Sequence, residues 1–316
     1  MCALALADHA TTAPSLSAEP ELFLQTVPRT LVHRAAVSEV LLTGIREGGT
    51  DTFLVGAQWP RGHSYYGSVG NRWHDPMLLA ETIRQAVLLI SHQKMGIPLD
   101  YHFLSHATSY EVDPSEVLMA DRPADVLLVA TLTGIRRRGT TVAGFEVNVE
   151  CHRDGRLLGQ GHMSMTCVPE TTYRRLRGAR ADARAARPAA PVVPPESVGR
   201  NDESDVVLTL NPRDGAWALV ADPDHPVLFD HPVDHVPGMV VLEGARQAAL
   251  ATLNNTWGVA TGCSVTFERF VEFDAPCLVT VGEVAAGPDG EQVVPVDFAQ
   301  GGSTAASASV AVRTGP

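Results

Sequence analysis

The chain has almost no lysine: of its 24 basic residues only Lys94 is not an arginine. Arginine and alanine are abundant together, the mark of GC-rich codons, so no single arginine is informative by itself. Cysteine is sparse and scattered (Cys2, Cys151, Cys167, Cys263, Cys277), and no CxxC pair occurs. That pattern supports neither a zinc site nor a disulfide framework, and no metal or cofactor is expected. The last four cysteines fall on or near strand-like runs with no base beside them in sequence, so they read as core thiols rather than acyl carriers. No apolar run reaches the roughly 18 residues that a bilayer span requires. The start, MCALALADHATT, lacks the positive n-region of a signal peptide, and a cytoplasmic protein is expected. Surplus positive charge is also missing. A net charge of −12 excludes nucleic acid as the main partner, because phosphate backbones demand a basic face.

What is present is a soluble globular composition, 45% hydrophobic and 19% charged over 316 residues, enough for two domains of about 150 residues. Glu81-Thr82-Ile83-Arg84-Gln85-Ala86 recurs as Glu243-Gly244-Ala245-Arg246-Gln247-Ala248, an offset of 162 (81 to 243). Val32-His33-Arg34 and Ser38 to Thr43 are echoed by Val198-Gly199-Arg200 and Ser204 to Thr209, an offset of 166 (34 to 200). Two anchors in the same order indicate a tandem duplication.

Each half opens with a short strand or two, continues through a loop rich in His and Pro, and reaches an apolar helix. The helices are expected over about 76–92 and 238–253, closed by Gly96-Ile97-Pro98 and by Asn254-Asn255 with Gly258. Only strand-like runs follow: about 101–111, 124–136, 140–152 and 157–168, then 262–272, 277–286, 290–298 and 303–313. One long helix followed by an antiparallel meander is an α+β pattern, a helix wrapped by a curled sheet. The expected organisation is a poorly ordered segment over 1–28, a first repeat over 29–172, a linker over 173–195 and a second repeat over 196–316. The linker carries Arg174, Arg175, Arg177, Arg180, Arg184 and Arg187 ahead of four prolines. It reads either as a solvated connection with a short helix and a stiff Pro-rich exit, or as a basic strip for an acidic carrier protein.

Glu, Arg and Gln at i, i+3 and i+4 share one helix face. An i, i+3 ion pair on its own contributes only about 0.2–0.5 kcal/mol, too little to justify placing charges on an apolar face. Either a structural clasp or a reaction site is indicated. In the second half the triplet follows Phe229-Asp230-His231-Pro232-Val233-Asp234-His235-Val236-Pro237-Gly238. This segment resembles the active site of the hot-dog β-hydroxyacyl-carrier-protein dehydratases. Pro237-Gly238, Glu243 and Gln247 keep that family's spacing, while His231 lies two residues short of the usual histidine. Gly238 would let backbone approach a ligand, and the free N–H groups of the helix's first turn would polarise a thioester carbonyl. Glu81 or Glu243 would act as base if its surroundings raise its pKa, assisted by His231. Dehydratases have a small residue where Arg84 and Arg246 stand, and a guanidinium there lowers the carboxylate's pKa and grips an anion.

The chain as a whole, over about 30 to 313, resembles the A-factor biosynthesis family. The resemblance rests on Val32-His33-Arg34, Gln58-Trp59-Pro60-Arg61-Gly62-His63-Ser64-Tyr65-Tyr66, Leu79 to Ala86, and His231 to Met239. It implies a double hot-dog acyltransferase that joins a β-ketoacyl group from acyl carrier protein to the hydroxyl of dihydroxyacetone phosphate, giving a precursor of butenolide and γ-butyrolactone signals. It also implies Arg84 or Arg246 on the phosphate, with Gln85 and Gln247 orienting the carboxylates. By analogy with dehydratase dimers, His231 would face Glu81 and His63 would face Glu243. His235 would brace the helix start. The alternatives are a hot-dog thioesterase or dehydratase on acyl-carrier substrates, and a non-catalytic acyl- or lactone-binding module.

Overall fold

The computed structural model describes residues 20–186, 190–210, 216–220, 222–288 and 290–313. In the first half, β1 (Leu42–Gly49) and β2 (Thr52–Trp59) precede α1 (Met77–Gln93). Then come β3 (Tyr101–Val112), β4 (Ala124–Arg138), β5 (Thr141–Arg153) and β6 (Arg156–Pro169). After a short α2 (Glu170–Arg177), the second half repeats the order. Its elements are β7 (Leu208–Leu210), β8 (Trp217–Leu219), α3 (Gly238–Leu253), β9 (Val259–Phe267), β10 (Cys277–Val281), β11 (Ala285–Ala286), β12 (Gln292–Gln300) and β13 (Ser303–Arg313).

Strand order runs β1-β2-β4-β5-β6-β3-β9-β13-β12-β10-β8-β7, with β11 on the side of β12. The second half is the first in mirror order, and β3 pairs with β9 at the seam, Tyr110 opposite Cys263. All pairings are antiparallel, so one continuous sheet serves both repeats. This is the α+β double hot-dog: two long helices lie against one curled sheet.

Both helices are apolar nearly all round, which a helix tolerates only when it is enclosed. In α1 the side chains from Met77 to Gln85 are buried save Arg84. The sheet makes room for α1 with small residues. A Cβ on Gly161 of β6 would stand 2.4 Å from Ile83 Cδ1 and 2.6 Å from the Ser109 carbonyl. The Trp59 indole N–H donates to Thr82 Oγ1 at 2.9 Å and fixes the helix against β2. α3 stops where Asn254 takes a left-handed conformation (φ 48°), a turn that asparagine tolerates better than most residues.

Two expectations need correction. Residues 1–19 lie outside the described residues, but 20–28 are structured: Pro20–Phe23 forms a 3-10 turn whose Leu22 is buried against Leu54 and Leu127. The segment after β6 is not a solvated connection, because α2 buries Tyr173 and Arg177. Arg177 is drawn in by two carboxylates of the second half. It donates to Asp234 at 2.8 Å and to Glu272 at 2.6 and 2.7 Å. Arg187 and Pro188 of that segment lie outside the described residues.

Candidate active site

Each helix triplet is the centre of a buried clasp. Glu81 is saturated with donors. One oxygen accepts from Arg84 Nη2 (2.9 Å), Gln85 Nε2 (2.6 Å) and Arg34 Nε (3.1 Å), the other from Arg84 Nε (2.9 Å). Gln85 in turn accepts from Leu41 N–H and donates to the Glu39 carbonyl, tying helix to strand entry. Glu243 repeats the pattern with Arg200 (2.9 and 2.8 Å), Arg246 (2.9 and 2.7 Å) and Gln247 (2.6 Å). Gln247 bonds Val207 N–H and the Asp205 carbonyl, as its counterpart does.

Arg34 and Arg200 also cross between repeats. Arg34 Nη1 donates to the Val227 carbonyl at 2.9 Å, and Arg200 Nη1 to the Tyr65 carbonyl at 2.7 Å. These two arginines went unassigned in the sequence, although both stand in the repeated Val-x-Arg anchor that could have flagged them. They sit far along the chain from the carboxylates they hold, so local spacing carries no sign of the contact.

The clasps settle what the two glutamates can do chemically. Burial by itself would push Glu81 up, but the Arg34 and Arg84 guanidiniums, with bonds from Arg84 and Gln85, hold it down at about 2. Glu243 is likewise pushed up by burial and held at about 2 by Arg200 and Arg246. A carboxylate this acidic, with its lone pairs already engaged, is a poor proton acceptor. In this geometry both glutamates hold guanidinium groups, which speaks against the expected role of Glu81 or Glu243 as base.

The two poles differ in access. A cavity of about 640 Å³ opens at the Glu81 pole. Its polar end is formed by Arg34, Arg84, Tyr66 and His33 from the first repeat, and by His231 with Pro237, Gly238 and Met239 at the start of α3. Its apolar length is formed by side chains such as Val87, Leu88, Phe103, Met163, Leu228 and Phe267. The side chain of Arg84 is 22% exposed and that of Arg246 only 5%. Among Arg84's hydrogen bonds none uses Nη1, so that edge of the guanidinium is free of internal partners. No side chain caps α3, whose first turn is half-buried at the cavity wall, whereas the start of α1 is fully buried.

The histidines distribute differently from the dehydratase analogy. His231 stands at the cavity beside Arg84 and Arg34, not against Glu81 itself. Burial lowers its pKa below the ordinary imidazole value despite Asp230 beside it, and the Arg84 and Arg34 charges act the same way as burial. It is therefore neutral at pH 7 and able to accept a proton. His63 does not face Glu243. Its Nδ1 accepts from Tyr65 and Tyr66 N–H, and its Nε2 lies 3.4 Å from Glu39. His225 does the same in the second repeat with Val227, Leu228 and Asp205, so both histidines are loop braces. His235 bonds Asp234, which also accepts from Tyr173 and Arg177, on the approach to α3.

Burial pushes the thiols of Cys167, Cys263 and Cys277 up to about 12, and Cys151 higher still, so none is a nucleophile at neutral pH. Among the described residues no cluster of three or more His, Cys, Asp or Glu side chains could hold a metal ion. No helix among them is long and apolar enough to cross a membrane.

Two helices wrapped by one curled sheet, with a cavity that the start of α3 helps to line, define the double hot-dog class. Within that class the chain belongs to the A-factor biosynthesis hotdog domain family, which it matches over residues 16–169 and 181–315. It is 41% identical over 288 residues to a 2-oxo-3-(phosphooxy)propyl 3-oxoalkanoate synthase of Streptomyces virginiae, covering 91% of this chain and 98% of that protein. It is 35% identical over 262 residues to a synthase of the same name from Streptomyces coelicolor, covering 83% of each. Its fold is similar to that of an acyl-ACP thioesterase from Bacteroides thetaiotaomicron, with a TM-score of 0.51 and 13% identity over 82% of this chain and 98% of that one.

Proposed function

We propose that this chain is an acyltransferase of the 2-oxo-3-(phosphooxy)propyl 3-oxoalkanoate synthase type. It transfers a β-ketoacyl group from a carrier thioester to a hydroxyl of dihydroxyacetone phosphate. One observation carries this reading: the open cavity joins an apolar channel, an uncapped helix start, a neutral imidazole and an arginine edge without internal partners.

The acyl chain lies along the apolar walls, with its thioester carbonyl at the first-turn N–H groups of α3 near Gly238, where developing negative charge is stabilised. The triose phosphate lies against the free edge of Arg84, which Glu81 and Gln85 hold in place. His231 takes the proton of the attacking hydroxyl. The hydroxyl oxygen bonds to the thioester carbon, the C–S bond breaks, and the proton passes to the departing thiolate. Ester and free thiol are the products. The activated methylene of the ester then adds to the triose ketone and the resulting hydroxyl leaves as water, without further need of the protein, giving a butenolide phosphate. The carrier approaches the mouth beside α2, where the exposed Arg174, Arg175 and Arg184 favour an acidic partner.

Mass spectrometry of the purified protein with a β-ketoacyl carrier thioester, with and without dihydroxyacetone phosphate, tests this reading. A phosphorylated ester or butenolide phosphate that depends on the triose is expected. Free β-keto acid in both samples would show a thioesterase instead, and an intact thioester in both would contradict catalysis.

A further inference from the structure

The two poles are related residue by residue, yet one carries a carboxylate that the other lacks. Asp75 precedes α1 as Pro237 precedes α3. Asp75 Oδ1 accepts the first-turn N–H of Met77 at 2.9 Å, and its Oδ2 accepts from Arg200 Nη1 at 3.1 Å. A carboxylate therefore bridges a helix start and a clasp arginine at the closed pole, where it is 2% exposed. At the open pole the matching partners are the start of α3 and Arg34, and among the described residues no side chain bridges them. Asp230 is near Arg34, but its oxygens accept from the backbone N–H groups of Ala35 and Ala36.

A second observation marks the same place. The Tyr66 hydroxyl, like that of Tyr65 at the closed pole, has no hydrogen-bond partner although the residue is only 4% exposed; of the two side chains only that of Tyr66 forms part of the cavity wall. A buried hydroxyl without a partner is costly unless a ligand completes it. Burial also keeps this phenol protonated, hence a donor. Its counterpart by the repeat is Leu228, which has no donor to offer.

We propose that Tyr66, Arg34 and the first turn of α3 form a single site for the acyl oxygen, and that Asp75 fills the twin position at the Arg200 pole with the protein's own carboxylate. The inference rests on the acyltransferase reading for the identity of the oxygen, the carbonyl that becomes an oxyanion during transfer. The closed pole is then a fixed copy of the occupied state, and the chain works with one site.

Octanoate is a suitable probe: an apolar tail for the channel and a carboxylate for the position that Asp75 marks. Calorimetric titration of the intact protein is expected to show one octanoate per chain and weaker binding of octanol. Tyr66→Phe should lower octanoate affinity about tenfold, the loss of one hydrogen bond to a charged group. This change removes only a hydroxyl that makes no hydrogen bond to the protein, so no internal bond is lost. Tyr65→Phe, at the closed pole, should leave affinity unchanged. Two octanoates per chain, equal binding of octanol, or an unaltered affinity in Tyr66→Phe would each overturn the proposal. No triose enters this measurement. Octanoate binding as described, with no ester formed in the transfer assay, would remove the acyltransferase reading alone.

Discussion

Glu81 and Glu243 each accept bonds from two arginines and a glutamine, and their chemistry follows from that. Each folded-state pKa lies at about 2, below the ordinary carboxylate value of 4.5. For a depressed carboxylate, the stabilisation is fully present above the unfolded pKa and is lost as pH falls toward the folded one. Urea midpoints should therefore hold steady above about pH 5 and drop progressively between about 4.5 and 2, as equilibrium unfolding across that range would show. Breaking one clasp leaves buried charge without a partner. Glu243→Gln should cost about 3–5 kcal/mol in chemical denaturation. His231 works in the opposite sense. Its lowered pKa keeps it neutral at pH 7, so kcat/KM should be flat there and fall only in more acidic solution, below the ordinary imidazole range, as the ring protonates. His231→Gln should reduce kcat about 10²- to 10⁴-fold in steady-state assays, and an unchanged rate would remove His231 as the base. At this scale the repeated Glu-Arg-Gln triplets were legible, because i, i+3 and i+4 spacing is read directly from sequence. Arg34, Arg200 and Asp75 were not, because each meets its partner only through the packing of distant segments.

The helices and the meander were legible as elements. An all-round apolar run can only be an enclosed helix, and the turn glycines and asparagines divide the strands. The expected strand ranges differ from those of β3 to β6 mainly at their ends, whereas in the second half the single strand expected over 277–286 is broken into β10 and β11. A short helix in the segment after β6 was legible but its burial was not, because a run of arginines looks solvated until its carboxylate partners are known, and Asp234 and Glu272 come from the other repeat. That strap also shapes the cavity: Tyr173 lies stacked on His102 with ring centroids 3.7 Å apart, and both line the wall. The seat of α1 on β6 gives a sharper test of packing. At Gly161 a Cβ would already meet Ile83 and the Ser109 backbone, so Gly161→Val should destabilise by about 1–3 kcal/mol through overpacking. Thermal melting measures this, and an unchanged melting temperature would contradict the register of helix on sheet.

The whole molecule is a pseudo-dimer in one chain, and its working asymmetry lies in the connections rather than in the repeated parts. The same clasp is built twice on one continuous sheet. One copy is sealed by Asp75 and the other opens on a cavity that takes its apolar walls from both repeats. Duplication was visible in the sequence, but the choice of pole was not, since it depends on what sits opposite each helix start after folding. The central claim is that the open pole grips a triose phosphate for acyl transfer. Rates of ester formation for the unaltered protein and for Arg84→Gln and Arg246→Gln, across dihydroxyacetone phosphate concentrations, test it most directly. Arg84→Gln should raise the KM for the triose at least about tenfold, the loss of a charged hydrogen-bond pair, with the thioester KM little changed. Arg246→Gln should alter stability and leave the triose KM as it was. A triose KM that is indifferent to Arg84, or that responds to Arg246 instead, would contradict this assignment of the site.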